Sequence, residues 1–152
     1  MLEKIISLLE QLRYYPSGVL LSRIVLACAE VRNNKVGIDL QSLYRYEADN
    51  RVKLMEGKMA MYIGHILLNI DGKHIPEAED WIKKAIEADI RNGMLFCLGK
   101  DYALYAELFK RKGDTAKAKE NLNQAIEIFK ECGADGWVEK AEKELKAFSR
   151  KK

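Results

Sequence analysis

The chain has 152 residues, of which 32% are charged and two are proline, and a chain of this length buries about 70% of the surface that its unfolded form exposes. This composition predicts one folded, soluble, helix-rich domain and argues against a disordered chain. The net charge of +3 is the small difference between 26 basic and 23 acidic side chains, interleaved along the chain, which argues against a dedicated nucleic-acid surface.

Apolar residues recur at helical spacing along the chain, whereas no stretch alternates with period two over a useful length. The first helix is predicted from Leu2 to Tyr14, with its apolar residues on one face and Pro16 at its end. Seven further helices are predicted, at about residues 18–32, 39–53, 58–70, 76–92, 95–112, 114–132 and 135–148. The predicted fold class is therefore all-α.

Glycine, proline and acidic residues mark the ends of these helices. NNKVG, the Glu56-Gly57 pair and DGKH are predicted turns. The helix at 76–92 has the most complete set of signals. Pro76 suits its first turn, Glu77 favours its positive end, and Gly93 suits the position after its last turn.

The helices form pairs that repeat along the chain. A small-large-small pattern on the second helix of each pair recurs at intervals of about forty residues. Its copies are Leu40, Tyr44 and Glu47, which is the weakest; Ala78, Ile82 and Ala85; and Ala118, Leu122 and Ala125. Three helical hairpins are therefore predicted, at residues 18–54, 57–93 and 95–133. An N-terminal helix within 1–15 precedes them, and a C-terminal helix at 135–148 follows.

Small residues in such a hairpin let the two backbones approach at the crossing point, while larger neighbours fill the space on either side. In the third hairpin, Ala106, Ala118 and Ala125 are the predicted close-contact positions, and Gly113-Asp114 forms the turn. Each hairpin alone leaves an apolar face uncovered. The hairpins are therefore expected to stack into a superhelix.

The run YALYAELFKRKGDTAKAKENLNQAI resembles a tetratricopeptide repeat, a motif of aromatic and small residues around a Gly-Asp turn. The matching positions are Tyr102, Tyr105, Ala106, Phe109, Gly113, Asp114, Ala118, Leu122 and Ala125. The resemblance is closest at residues 99–132, weaker at 57–92 and weakest at 21–54. It implies a right-handed α-solenoid of about three hairpins, in which the helix at 135–148 is a cap. The expected capping residues are Trp137, Ala141, Leu145 and Phe148.

The segment IEIFKECGADGWVEKAEKEL is also similar to the end of the tetratricopeptide region in large bacterial signalling ATPases and cyclase-linked regulators. That similarity implies a bacterial protein that is either a regulatory arm of a larger signalling protein or a stand-alone relative. Self-association is a further alternative. The helix in MLEKIISLLEQL is half of a hairpin without a second half, and a homo-oligomer would supply one.

Catalytic and metal-binding motifs are not recognisable in the sequence. His65 lies within a predicted helix with no cysteine, histidine or carboxylate three or four residues away, and His74 lies in a turn beside Pro76. The carboxylates occur mainly beside Lys or Arg, as on solvated faces. The seven tyrosines lie mostly at helical spacing, where packing is a commoner cause than base stacking. We therefore expect no enzyme activity, cofactor, metal ion or nucleic-acid partner.

Cysteine usage and hydropathy predict a cytoplasmic location. Cys28, Cys97 and Cys132 are odd in number and lie among apolar or small residues, as do reduced, buried thiols. The apolar stretch VLLSRIVLACAEV is interrupted by Arg23 and is too short to cross a membrane. The N-terminal segment contains acidic residues and lacks a small-residue cleavage site, so a signal peptide is not expected.

The first helices of stacked hairpins line the inner surface of a solenoid, and the resemblance implies that this groove binds a protein or peptide. The implied groove positions are Ser22, Val25, Ala29 and Arg32; Lys58, Met61, His65 and Leu68; and Lys100, Ala103, Glu107 and Lys110. Four basic side chains and one acid among them favour an extended or helical peptide with acidic character and apolar anchors. A cochaperone role is not expected, because the positions that clamp acidic chaperone tails hold Val25, Ala29 and Arg32.

Overall fold

The computed structural model describes residues 2–11 and 16–149. Over these residues the chain forms eight α-helices and one short 3-10 helix, without a strand. The helices are α1 (Leu2–Gln11), α2 (Pro16–Arg32), α3 (Leu40–Ala48), α4 (Lys53–Ile70), α5 (Ile75–Arg91), α6 (Leu95–Arg111), α7 (Thr115–Glu131) and α8 (Asp135–Ser149). The predicted all-α class is confirmed. The predicted last residues of the first helix, 12–14, lie outside the described residues.

Some predicted helix boundaries are wrong. α2 begins at Pro16, two residues before the predicted start, and the missing N–H of a first-turn proline removes no intrahelical hydrogen bond. The third helix, predicted to reach residue 53, ends at Ala48, and α4 begins at Lys53, five residues before its predicted start. Gly57, expected in a turn, lies within α4 and is buried. The chain turns earlier, where the Asn50 side chain bonds the backbone N and O of Val52, each at 3.0 Å.

Capping residues explain the predicted boundaries that agree with the structure. Asp114 precedes α7 and accepts a hydrogen bond from the Lys117 backbone N at 3.0 Å. Gly113 before it has φ of 78°, a left-handed conformation that suits glycine after a helix. Pro76 lies in the first turn of α5, as expected.

Helix packing follows chain order. α4 packs along α5, and α6 packs along α7, while α2 contacts α4, α4 contacts α6, and α8 contacts α7. The α4–α5 pair is antiparallel, since Arg91 at the end of α5 bonds Glu56 near the start of α4 at 2.6 Å. The predicted close-contact alanines Ala106, Ala118 and Ala125 are all buried.

α4 is the longest helix and the most buried. Its 18 residues include Met59, Ile63 and Leu67 in the core, and the helix contacts α2, α5 and α6. A helix that is apolar on most sides is surrounded by protein or lipid. Across the part of the chain that the structure describes, no helix combines the length and apolarity that a membrane crossing requires.

Polar contacts link successive helix pairs. Tyr105 of α6 donates to Glu79 of α5 at 3.1 Å, and Lys112 after α6 pairs with the same carboxylate at 2.8 Å. On the other side of α5, the hydroxyl of Tyr44 in α3 donates to Glu77 at 2.6 Å. These contacts keep α5 in register with α3 and α6.

We predict that Gly99→Ala lowers the free energy of unfolding by about 1–3 kcal/mol, the usual cost of overpacking. An alanine Cβ at residue 99 of α6 would lie 2.6 Å from Cε1 of Phe129 in α7. Gly136→Ala in α8 is the matched control, because its Cβ would meet no heavy atom within 4 Å. Urea denaturation of both variants measures the difference. Equal stabilities would contradict the packing of Phe129 on Gly99.

Candidate functional site

A cavity of about 580 Å³ opens between α2, α4, α6 and α8. Ligand sites in proteins have volumes of roughly 300–1,000 Å³. We call this cavity the groove. Its polar and aromatic lining residues are Cys28 and Arg32 from α2, with Asn34 just after it; Tyr62, His65 and Asn69 from α4; Lys100 and Glu107 from α6; Phe129 from α7; and Trp137, Lys140 and Glu144 from α8.

Many of the residues implied by the sequence resemblance meet in this groove. Arg32, Met61, His65, Lys100 and Glu107 line it, and Ala103 lies beside them. They come from α2, α4 and α6, which are the first helices of the predicted hairpins. The predicted residues therefore face one continuous space.

The other predicted positions lie elsewhere. Leu68 is 1% exposed and belongs to the core, so it cannot contact a partner. The end of α6 covers this turn of α4, because Arg111 Nη1 donates to the Leu68 carbonyl at 2.5 Å. Lys58 and Lys110 lie outside the groove lining, and so do Ser22, Val25 and Ala29.

The sequence reasoning missed the contribution of α8 and of the neighbours of the predicted residues. Trp137, Lys140 and Glu144 are three and four residues apart, so they share one face of α8. That spacing is a usable signal, but the sequence resemblance implies only a capping role for this helix. Tyr62 and Asn69 on α4 also line the groove, beside the predicted residues Met61 and His65.

Within the described ranges, the groove lining has more unpaired cations than unpaired carboxylates, three against Glu144 alone. Among the described residues, Arg32, Lys100 and Lys140 form no ion pair. Glu107 is already neutralised on its own helix, by Arg111 at 3.1 Å and Lys110 at 3.6 Å. The wall therefore presents cations that a negative ligand can approach.

Aromatic rings surround one of these cations. Lys100 Nζ lies 5.8 Å from the ring centroid of Tyr62, 6.0 Å from that of Phe96 and 5.7 Å from that of Trp137. Lys140 Nζ lies 5.1 Å from the Trp137 centroid. Cation–π contacts at such distances orient an ammonium group without cancelling its charge.

A thiol and an imidazole lie together on the groove wall. Cys28 Sγ is 3.4 Å from His65 Nδ1, and the Asn69 amide donates to the His65 carbonyl at 2.7 Å. Burial raises the pKa of the Cys28 thiol, while burial and the charge of Arg32 lower the pKa of His65. Both groups are therefore neutral near pH 7. The pair is a polar contact, without the thiolate that a nucleophile needs.

The three cysteines differ in environment, contrary to the expectation that all are buried. Cys28 is buried, Cys97 is half-buried and Cys132 is exposed, and all three are free thiols. Cys132 is exposed because it follows the last residue of α7. Within residues 2–11 and 16–149, no cluster of three or more His, Cys, Asp or Glu side chains could hold a metal ion.

Thiol labelling tests this description. We predict that Cys132 reacts with a disulfide reagent faster than Cys28 by a factor on the order of ten or more, because the Cys28 thiol is buried and its pKa is raised. Mass spectrometry of timed samples at pH 8 identifies the modified residue. Cys132→Ser should remove the fast phase alone. Equal rates at Cys28 and Cys132 would contradict the burial of the Cys28 thiol.

Comparisons of this chain with models of protein families, with curated proteins and with solved structures found no match.

Proposed function

We propose that this chain is a non-catalytic interaction module built as a right-handed α-solenoid of about three tetratricopeptide-like hairpins. The recurring small-large-small pattern supports this arrangement. So do the α4–α5 and α6–α7 pairs and the contacts of α4 with both α2 and α6. In such a stack the first helices line one face, and α2, α4 and α6 all contribute to the groove.

The proposed ligand is a segment of a partner protein, or a peptide, with acidic character. The observation that carries this proposal is the set of cations without ion pairs, Arg32, Lys100 and Lys140, around one open groove. A negative segment supplies their missing counter-charges and is steered toward them during association. Met61 and Trp137 offer apolar surface for the side chains that anchor it.

The setting proposed for this module is the bacterial cytoplasm, which the three free thiols favour. As a regulatory arm of a signalling ATPase or cyclase-linked regulator, the chain would bind an acidic segment of its own protein in the same groove. Both ideas derive from the sequence resemblance. In either setting the ligand is an acidic segment, and only the protein that supplies it differs.

Charge reversal tests the groove. We expect Arg32→Glu and Lys100→Glu each to weaken partner binding by about tenfold or more, because each places a carboxylate opposite an acidic ligand. Affinity capture from the native lysate with quantitative mass spectrometry finds the partner, and titration of that partner gives the Kd.

Lys146→Glu is the matched control. It makes the same charge change on an exposed position of α8 outside the groove, so binding should stay within about twofold. A partner that binds both groove variants as tightly as the wild-type protein would exclude the groove as its site.

Self-association through α1 is a second candidate, favoured by two exposed apolar side chains. Ile5 is 46% exposed and Leu8 is 55% exposed, while Ile6 is buried. In this case light scattering at high protein concentration gives a dimer mass, and Leu8→Glu restores the monomer mass. A wild-type monomer at high concentration would exclude this candidate.

A further inference from the structure

Two carboxyl groups lie in the interior between α5 and α6. Asp89 in the last turn of α5 and Asp101 in α6 are each 1% exposed. Within the described part of the chain, none of their four side-chain oxygens has a hydrogen-bond donor. Gly57 of α4 packs directly against Asp89, and a Cβ at residue 57 would overlap its carboxyl group. Three helices therefore close around this pair.

The charged groups near the pair do not neutralise it. Lys100 of α6 is the cation whose charge acts on both carboxyl groups, while Lys58 of α4 acts on the neighbouring Cys97 thiol of α6. Neither lysine forms an ion pair among the described residues, and Lys100 lies over aromatic rings of the groove. Arg91, near Asp89 on α5, is paired with Glu56. An ionised buried carboxylate without a partner is costly, so the pair needs another counter-charge.

A proton is the counter-charge that fits. The two buried carboxyl groups act on each other's pKa, and a proton on one of them would turn an acceptor into a donor for its neighbour. Burial, with the negative charge of Asp89, raises the pKa of Asp101 to about 9. Burial also raises the pKa of Asp89. At least one proton is therefore held between the two helices at neutral pH.

We propose that Asp89 and Asp101 form a proton-operated latch that holds the N-terminal turns of α6 against α5. Loss of the shared proton leaves two buried negative charges, whose repulsion separates these turns. The same turns carry Phe96 and Lys100, whose distances to the Trp137 ring centroid are 5.6 and 5.7 Å. Opening of the latch therefore shifts one wall of the groove. The proposal goes beyond ligand binding and needs no ligand.

The direction of the pH dependence follows from proton linkage. An ordinary aspartate titrates near 3.8, so between this value and about 9 the folded protein binds one more proton than the unfolded chain. The contribution of the pair to the free energy of unfolding is fully present below about pH 3.8, and it decreases as the pH rises from there to about 9. The unfolding equilibrium constant rises by up to about tenfold per pH unit.

The test uses the full chain with Trp81→Phe, which leaves Trp137 as the single tryptophan. Urea denaturation from pH 5 to pH 9 gives the unfolding constant, far-UV circular dichroism reports the helices, and Trp137 emission reports the position of α6. We expect the unfolding constant to rise with pH. The Trp137 emission should stay constant up to about pH 7 and shift when the scan is extended from pH 8 to pH 10, through the pKa of about 9 of Asp101, while the helix content stays constant.

Asp101→Asn supplies a permanent donor of the same shape. It should flatten the pH slope, make the protein more stable than the parent above pH 7 and abolish the Trp137 shift. Asp80→Asn is the matched control, since Asp80 is an exposed aspartate of α5 and its loss should leave the parent behaviour unchanged. If Asp101→Asn does not fold, Asp89→Asn must flatten the same slope.

Two results would overturn the proposal. An asparagine variant with the full pH slope of the parent would show that the pair does not hold the titrating proton. If the unfolding constant of the parent protein rises with pH but its Trp137 emission stays constant, the pair holds a proton whose loss does not move α6.

Discussion

In two helix pairs of this chain, a glycine of one helix faces a bulky side chain of the next. Phe129 of α7 lies over Gly99 of α6, and Ile82 of α5 lies over Gly64 of α4. The bulky side chain occupies the space that a Cβ would need, so both backbones are held at one distance. Dispersion contacts decrease steeply when such a gap opens, and the spacing of the helices is therefore narrowly determined.

This spacing also determines which side chains the groove presents. α4 is covered by α2, α5 and α6, so only a narrow stripe that includes Met61 and His65, one turn apart, reaches the open space. Arg111 joins α6 to α4 through the Leu68 carbonyl and Asn69 Oδ1. Because Glu107 pairs with basic residues of its own helix, it forms no ion pair with Arg32, Lys100 or Lys140 among the described residues. A site on rigid helices loses little conformational entropy when it binds.

The parts of this fold that the sequence predicts are those governed by neighbours within one or two turns. Helical periodicity identifies the all-α class, and Asp114 acts on a backbone N–H three residues away. The predicted turn at Gly57 is wrong because the structure there depends on a distant residue. A glycine suits a turn or a close contact equally well, and its contact, Asp89, comes from another helix. The Cys28–His65 contact joins residues 37 apart, which periodicity does not report.

The buried pair of Asp89 and Asp101 costs more free energy than apolar packing would, and a role as a pH sensor accounts for its presence. Well-packed apolar residues in the same volume would remove the cost of desolvation, as replacements of buried ionic groups often do. Titration of a surface carboxylate is cheap because water solvates both forms, whereas here the change of charge must be absorbed by movement. Lys100 and Asp101 are adjacent in α6, one lining the groove and the other lying in the interior. A rotation or shift of α6 therefore moves Lys100 and Asp101 together. Loss of one proton in the core then changes the position of a cation in the groove.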